Sequence, residues 1–153
     1  MESIEQPKQD DLSQLVSLVE QAHQSLAQHW MGDDFVIELL LASIIARGHV
    51  LVVDVLSVGK TTLAKALVVI LRLDFNRIQF TNDILPADIL GGSIYNASEA
   101  RFIFSSGPIF TDFLLADEIN RAPTWSQSAF LQAMEEGYVA ADGVNQPLSN
   151  LFL

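Results

Sequence analysis

The tripeptide Gly59-Lys60-Thr61 lies after a valine-rich run and before a stretch whose apolar residues recur at helical spacing. A phosphate-binding loop of the pattern GxxxxGK[ST] has this ending and this context. Its backbone N–H groups point at phosphate oxygens, its lysine reaches the outer phosphates, and its hydroxyl coordinates Mg²⁺. The sequence therefore predicts a nucleotide-binding loop of nine consecutive residues: Asp54, Val55, Leu56, Ser57, Val58, Gly59, Lys60, Thr61 and Thr62.

Two positions of this loop depart from the pattern. Asp54 stands where the opening glycine is expected, and Ser57 stands where related loops often have glycine. A carboxylate about 5 Å from a phosphate charge would repel it by roughly 3 kcal/mol at an effective dielectric constant of about 20. Ser57 would add backbone strain if its position needs a positive φ. We therefore expect Mg-ATP to bind weakly, unless the Asp54 side chain turns away.

Asp117 and Glu118 follow four apolar residues, 113–116, that are typical of a buried strand. A phosphate loop needs such an acidic pair, because two separate tasks require two diverging side chains. Asp117 would hold Mg²⁺ through water, and Glu118 would act as the catalytic base that activates the attacking water. The alternative is an acidic pair that only caps a turn or a helix. Its position downstream of the phosphate loop favours the catalytic interpretation.

The surrounding sequence predicts alternating strands and helices, which is typical of an α/β fold with a mostly parallel sheet. The run 49–53 predicts a strand buried on both faces, and 60–71 predicts the helix after the loop. The other predicted elements are a helix from Asp11 to about Leu26, a buried helix from Phe35 to Arg47 capped by Asp33 or Asp34, a strand at 77–80, a hairpin formed by 93–96 and 101–104, a strand at 113–117, a helix from Pro123 to Glu136 ended by Gly137, an extended segment at 138–141 with a turn at Asp142-Gly143, and a strand that begins near Leu151.

Composition and charge exclude several classes of function. The chain has 153 residues, enough for one domain, and a net charge of −11 from 19 acidic and 8 basic residues. A general nucleic-acid surface would need a basic stripe, so this balance argues against one. The absence of cysteine excludes disulfides and thiolate ligands. The polar N-terminus is not a signal peptide, and the most apolar run, 35–46, is too short to span a membrane. We expect a cytoplasmic location.

Three further polar residues, His23, His29 and Arg121, could belong to a site. His23 and His29 have no metal-ligand spacing and are predicted to be solvated. Arg121 follows the acidic pair, and it would either face a neighbouring subunit or form a local salt bridge.

Four segments, in their order and spacing, resemble the MoxR family of AAA+ ATPases: HVLVVDVLSVGKTTLAKAL, RIQFTNDILPADILGG, FIFSSGPIF and LLADEINRAPTWSQSAFLQAMEEG. The match extends over roughly Gly32 to Leu153. The resemblance implies a P-loop NTPase (AAA+) three-layer sandwich, with a five-stranded parallel sheet and ATP at the carboxyl ends of its strands. It divides the chain into a polar lead-in and N-terminal helix, 1–30, and a partial AAA+ core, 31–153, that is incomplete at the C-terminus.

The resemblance also assigns roles to individual residues. It implies that Gly59, Lys60 and Thr61 contact the phosphates of ATP and that Thr61 and Asp117 coordinate the metal. Glu118 would be the catalytic base, and Met31-Gly32 would lie near the adenine. The cofactors would be ATP and Mg²⁺. Family members in full-length form are usually homo-oligomeric rings, often hexamers. They are thought to remodel or activate partner proteins, frequently ones with a von Willebrand A domain.

The sequence stops before the family's sensor-1 residue, arginine finger and helical lid. Because an arginine finger contributes about 10³ to 10⁵ in rate, we expect negligible hydrolysis by this chain alone. The sensor-1 strand would lie between the strands 49–53 and 113–117, so we also expect low stability and strand pairing between copies. Two other functions remain open: a non-catalytic AAA+-like interaction module or relic with impaired nucleotide binding, and a kinase or GTPase, which the absence of an N-K-x-D stretch disfavours.

Overall fold

The computed structural model describes residues 9–28, 30, 32–53, 59–141 and 143–149. The chain divides into two compact units, Met1–Arg72 and Leu73–Leu153. The predicted polar lead-in, His29, Met31, Asp54–Val58 and the strand expected near Leu151 lie largely or wholly outside the described residues. Among the described helices, none is both long and apolar enough to cross a lipid bilayer.

The first unit contains three helices: α1 (Gln9–Ala27), α2 (Asp34–Ile45) and α3 (Lys60–Leu71). Helix α1 contacts both α2 and α3. Asp33 caps α2 as predicted, because its carboxylate accepts a hydrogen bond from the Phe35 N–H at 3.0 Å. The buried side chains come from all three helices: Ala22, Leu26, Ile37, Leu41, Leu63, Ala64 and Leu67.

The predicted buried strand at 49–53 is wrong for this structure. These residues form neither helix nor strand, and Leu51 and Val53 are 78% and 86% exposed. Apolar composition indicates a tendency to be buried, but a strand also needs a partner for its backbone N–H and C=O groups. The described part of the first unit contains no strand that could supply those hydrogen bonds.

The prediction that α2 is a buried helix, with apolar residues around most of its axis, is also wrong. Only Ile37 and Leu41 are buried, whereas Phe35, Leu39 and Ile45 are each more than half exposed. The buried pair is spaced four residues apart and forms a single stripe. Val36, Leu40 and Ile44 beside this stripe are half-buried. Similarly, His23 was expected to be solvated, but its Nε2 atom is buried with no hydrogen-bond partner.

The second unit carries the strands of the fold. Strand β1 (Phe75–Gln79) pairs in parallel with β4 (Phe113–Asp117), and the register places Gln79 opposite Asp117. Two antiparallel hairpins are formed by β2 (Gly91–Asn96) with β3 (Arg101–Ser106) and by β5 (Tyr138–Ala141) with β6 (Val144–Pro147). The helices are α4 (Pro86–Leu90), a short 3₁₀ helix (Ile119–Arg121) and α5 (Thr124–Glu136).

The β2–β3 hairpin, the strand 113–117, the extended segment 138–141 and the helix ended by Gly137 match the prediction, whereas the partner strand β6 was not predicted. Helix α5 begins after Pro123 and ends at Gly137, whose N–H donates to the Ala133 carbonyl. The core of this unit gathers Phe80 from the end of β1, Phe130 from α5 and Leu114 from β4. The Phe80 and Phe130 rings lie 5.5 Å apart, a separation typical of a favourable aromatic pair. Strands β1 and β4 and helix α5 therefore share one core.

The fold class is confirmed as α/β with a parallel sheet. In the described residues, the parallel part consists of the β1–β4 pair, rather than the five strands that the resemblance implies. Because carboxyl ends of parallel strands meet at one edge, this pair is sufficient to place the end of β4 beside the end of β1. The acidic pair Asp117-Glu118 is located at that edge.

Candidate functional site

Gly59 begins helix α3 in a conformation that few other residues adopt. Its φ and ψ are 94° and −19°, and its carbonyl accepts the first helical hydrogen bond, from the Leu63 N–H at 2.9 Å. A Cβ atom at Gly59 would lie 2.8 Å from Cζ3 of Trp30. Glycine is therefore needed at this position both for the backbone conformation and for the close approach of the indole ring.

The rest of the predicted phosphate loop is only partly described. Residues 54–58 and the Lys60 side chain lie outside the description, so the fit of Asp54 and Ser57 stays a prediction. Thr61 is half-buried and Thr62 is exposed in the first turn of α3. The free N–H groups of that turn and the helix dipole both favour an anion at this end.

The Trp30 side chain packs against two glycines of the first unit, Gly32 and Gly59. Its indole Nε1 donates a hydrogen bond to the Asp33 carbonyl at 3.1 Å. A Cβ at Gly32 would lie 2.5 Å from the indole ring, so Gly32 and Gly59 both approach the same side chain. The family resemblance implies that Met31-Gly32 lies near the adenine, whereas the contact between the Trp30 ring and Gly59 was not predicted. No motif signals it, since the contact depends on tertiary packing.

Asp117, the last residue of β4, forms a salt bridge with Arg77 of β1. Nη2 of Arg77 lies 2.7 Å from Oδ2 of Asp117, and the two side chains are 44% and 37% exposed. The same nitrogen donates to Oε1 of Gln79 at 3.2 Å. Arg77 and Gln79 are two residues apart on one face of β1, while Ile78 between them is buried. That alternation is the sequence signal that could have revealed Arg77.

Glu118, the next residue, has a left-handed backbone with φ 58° and ψ 40°. This region is unusual for glutamate and costs about 1 kcal/mol or more. Its backbone leaves the strand there and starts the 3₁₀ helix, in which the Arg121 N–H donates to the Glu118 carbonyl at 2.9 Å. Residues held in such backbone regions are concentrated at functional sites.

Arg121 forms the local salt bridge that was one of its two predicted roles. Its Nε atom lies 3.3 Å from a carboxylate oxygen of Glu118, three residues earlier. Each acid of the pair therefore has its own arginine, Arg77 for Asp117 and Arg121 for Glu118. Both bridges are largely exposed, so each contributes little to stability but compensates the negative charge of its acid.

The predicted metal ligands have chemistry that suits Mg²⁺. Mg²⁺ prefers hard oxygen donors and keeps several waters, so a threonine hydroxyl and one carboxylate are a suitable protein contribution. Thr61 belongs to the first unit and Asp117 to the second. Within the described residues, no group of three or more His, Cys, Asp or Glu side chains is arranged to hold a metal.

A separate surface depression of about 400 Å³ lies at the base of the β2–β3 hairpin. Its lining is made of small residues and backbone, with Asp88 as the charged member. The Asp88 carboxylate already accepts a hydrogen bond from the Leu85 N–H at 2.9 Å, where it caps α4. This depression offers no second ionisable group, so the acidic edge of β4 remains the better candidate for chemistry.

Comparison with known proteins identifies the family of the chain. The sequence profile of the family "ATPase family associated with various cellular activities (AAA)" matches residues 49–153. The uncharacterized protein YeaC of Bacillus subtilis is 44% identical over 144 residues, which are 94% of this chain and 44% of that protein. Chaperone MoxR1 of Mycobacterium tuberculosis is 41% identical over 123 residues, 80% of this chain and 33% of its own length.

Two further relatives extend the comparison. Protein MoxR of Paracoccus denitrificans is 33% identical over 116 residues, 72% of this chain and 34% of its own length. The crystal structure of a "putative ATPase" from Cytophaga hutchinsonii shares 36% identity with a TM-score of 0.73, over 93% of this chain and 45% of that one. The chain thus spans less than half the length of the relatives it matches.

Proposed function

Because the chain belongs to the MoxR family of AAA+ ATPases, we propose that it binds Mg-ATP at the start of α3 and hydrolyses it with the acidic pair at the end of β4. The observation that carries this proposal is the position of Asp117 and Glu118. One ends a strand of the parallel pair, and the other turns away in a left-handed conformation. Ligands of open α/β sheets bind at the carboxyl ends of the strands, and residues in unusual backbone regions are concentrated at active sites.

The chain's own residues would divide the work. The backbone N–H groups of the loop and of the first turn of α3 would bind the phosphates, with the Lys60 ammonium on the outer ones. Thr61 and Asp117 would hold Mg²⁺, which neutralises charge on the phosphates when it is bound. Glu118 would orient and deprotonate the attacking water. Arg121 would then have to leave the Glu118 carboxylate free to accept that proton.

The use of the hydrolysis energy is inferred from the family. We propose that the protein assembles as a homo-oligomeric ring, expected to be a hexamer, in the cytoplasm. The ring would remodel or activate partner proteins, with von Willebrand A-domain proteins as candidates. The relative MoxR1 is named a chaperone, and this name supports a role in changing the conformation of other proteins.

A second candidate is a non-catalytic AAA+-like interaction module. Asp54 and Ser57 favour it, because they replace residues that normally allow close approach of phosphate to the loop backbone. The two functions differ in one property, which is whether Mg-ATP binds at concentrations found in cells.

Trp30 provides the measurement, because its ring lies against Gly59 at the start of α3. The chain has two tryptophans, and replacing the exposed one, Trp125→Phe, leaves Trp30 as the reporter. Titration of the intact protein with Mg-ATP should change its fluorescence saturably. Lys60→Ala should abolish the change, whereas Lys65→Ala, an exposed lysine later on the same helix, should preserve it.

Hydrolysis is tested with a second pair of variants. In a full-length form that carries the family's sensor 1 and arginine finger, Glu118→Gln should retain Mg-ATP binding and lose turnover, because the amide cannot accept the proton of the attacking water. The exposed Glu135→Gln on α5 should retain both. If the unaltered protein shows no saturable response to millimolar Mg-ATP, the interaction module is the correct function.

A further inference from the structure

Arg77 forms a salt bridge with Asp117, the carboxylate that would bind Mg²⁺ in the proposed function. Its Nη2 atom lies 2.7 Å from Oδ2 of Asp117. The parallel register places Arg77 opposite Leu115, so its side chain extends two residues along the sheet to the end of β4. No other described residue supplies a cation to this carboxylate.

The contact is suited to being broken. The contact joins Nη2 of Arg77 to Oδ2 of Asp117, and both side chains are more than a third exposed. Exposed ion pairs of this kind are weak. Their stabilisation corresponds to at most about a fivefold preference for the paired over the unpaired state. Gln79 Oε1, at 3.2 Å from the same Nη2, offers the guanidinium another acceptor on its own strand. Arg77 can therefore leave Asp117 without being left unpaired.

We propose that Arg77 is an internal counter-ion that neutralises Asp117 in the metal-free protein and is displaced towards Gln79 and solvent when Mg²⁺ binds. The inference rests on the proposed function, since it takes Asp117 as the Mg²⁺ ligand. A guanidinium that remained on Asp117 would withdraw negative charge from the metal and place a like charge beside it. The affinity for Mg²⁺ is therefore set by competition between Arg77 and the cation.

The opposite role for Arg77 predicts the opposite sign. If Arg77 stayed in place and oriented Asp117 for the metal, then removing the guanidinium would weaken Mg²⁺ binding. If it competes, removing it strengthens Mg²⁺ binding by the factor that the salt bridge contributes. The direction of the change distinguishes a competing counter-ion from an orienting residue, and a purely structural role would produce neither.

The experiment compares Arg77→Gln, Arg77→Lys and the matched control Arg101→Gln in the intact protein. Arg101 forms an exposed salt bridge with Glu99 on the β2–β3 hairpin, so the control removes the same charge and the same kind of bond elsewhere. The Mg²⁺ concentration that gives half-maximal ATP binding is measured by Trp30 fluorescence. Direct binding of Mn²⁺ alone is measured by the loss of its free-ion electron paramagnetic resonance signal.

For Arg77→Gln we expect the half-saturating concentrations of Mg²⁺ and Mn²⁺ to fall about two- to fivefold, the range that an exposed ion pair allows. Arg101→Gln and Arg77→Lys should stay close to the unaltered protein. Equal values for Arg77→Gln and Arg101→Gln, or a higher requirement in Arg77→Gln, would overturn the inference.

Failure of the proposed function has a different outcome. If no variant responds to Mg-ATP, then the nucleotide proposal is wrong, and the Mn²⁺ measurement decides the counter-ion inference by itself. Tighter Mn²⁺ binding in Arg77→Gln than in Arg101→Gln would support it. Absence of Mn²⁺ binding in every variant would overturn it together with the proposed function.

Discussion

Ser126 donates its hydroxyl proton to the carbonyl oxygen of Ile84, 42 residues earlier in the chain, with 2.7 Å between the two oxygens. Ser126 is fully buried on α5, and Ile84 lies just before α4. The bond attaches the segment between β1 and α4 to the helix that follows the acidic pair. It satisfies a carbonyl that would otherwise be difficult to pair away from water.

Replacement of Ser126 by alanine should therefore destabilise the protein by about 1–2 kcal/mol, since it leaves the Ile84 carbonyl without its donor. The control is Ser128→Ala, an exposed serine on the same helix, which should be neutral or slightly stabilising because alanine favours helix. Urea denaturation gives the free energy of unfolding for both variants. Equal stabilities would show that the buried bond contributes nothing.

Asp112 should make stability depend on pH. Its carboxylate accepts hydrogen bonds from the Ser149 hydroxyl at 2.5 Å and from the Asp74 N–H at 3.1 Å. The Ser149 bond, followed by the Asp74 bond, holds the pKa of Asp112 below its ordinary value. The unfolded chain therefore takes up this proton more readily than the folded one. The stabilisation is complete above the ordinary aspartate pKa of about 3.9 and is lost as pH falls through the folded-state pKa.

Asp112→Asn should accordingly reduce the free energy of unfolding by about 0.5–1 kcal/mol at pH 7, a small value because the carboxylate is largely solvated. The difference from the unaltered protein should shrink as pH falls below 4. Ser149→Ala should also reduce the pH dependence of the free energy of unfolding, because it removes the hydroxyl that lowers the pKa of Asp112. Denaturation curves at pH 7 and at pH 3 test this, and an undiminished difference at pH 3 would contradict the account.

Gly91 and Gly92 are adjacent in the chain but should respond differently to alanine. Gly91 has φ 84° and ψ −173°, a region essentially restricted to glycine, and a Cβ there would lie 2.2 Å from the Ser105 carbonyl oxygen. A Cβ at Gly92 would meet nothing within 4 Å. Gly91→Ala should cost about 3 kcal/mol or more, and Gly92→Ala less than about 1 kcal/mol. Thermal denaturation of the two variants measures the contrast, and similar losses would refute it.

Glu118 should be less favourable for stability than asparagine at the same position. Asparagine tolerates the left-handed region better than glutamate or glutamine does. Both Glu118→Asn and Glu118→Gln remove the charge that pairs with Arg121, so their comparison isolates the backbone effect. Glu118→Asn should be more stable than Glu118→Gln by about 0.5–1 kcal/mol, while neither hydrolyses ATP. Urea denaturation decides, and equal stabilities would mean that φ 58° carries no penalty here.

Local patterns predicted most elements of the second unit. The strand 113–117, the β2–β3 hairpin and the helix ended by Gly137 were each predicted from alternation, turn residues or a proline–glycine boundary, whereas strand β6 was not predicted. Alternation, turn residues and proline–glycine boundaries each involve only a few neighbouring residues, so they can be read directly from the sequence. The acidic pair was placed at the end of its strand for the same reason.

The errors concern properties that depend on neighbours. The run 49–53 has the composition of a central strand, but pairing and burial require partner strands, and none is present in the described part of its unit. Helix α2 is apolar around most of its axis, yet only Ile37 and Leu41 are buried. Composition indicates which side chains favour burial and leaves open whether other elements are there to bury them.

Sequence alone determined the family, the α/β class and the identity of the two acids, because each depends on residue types in a fixed order along the chain. Only the tertiary structure decided which groups those acids contact. Arg77 lies 40 residues before Asp117 and binds it because β1 and β4 pair in parallel with a specific register. Trp30 approaches Gly59 because packed helices bring distant segments together. Such contacts arise from chain geometry over tens of residues, for which local residue patterns carry no signal.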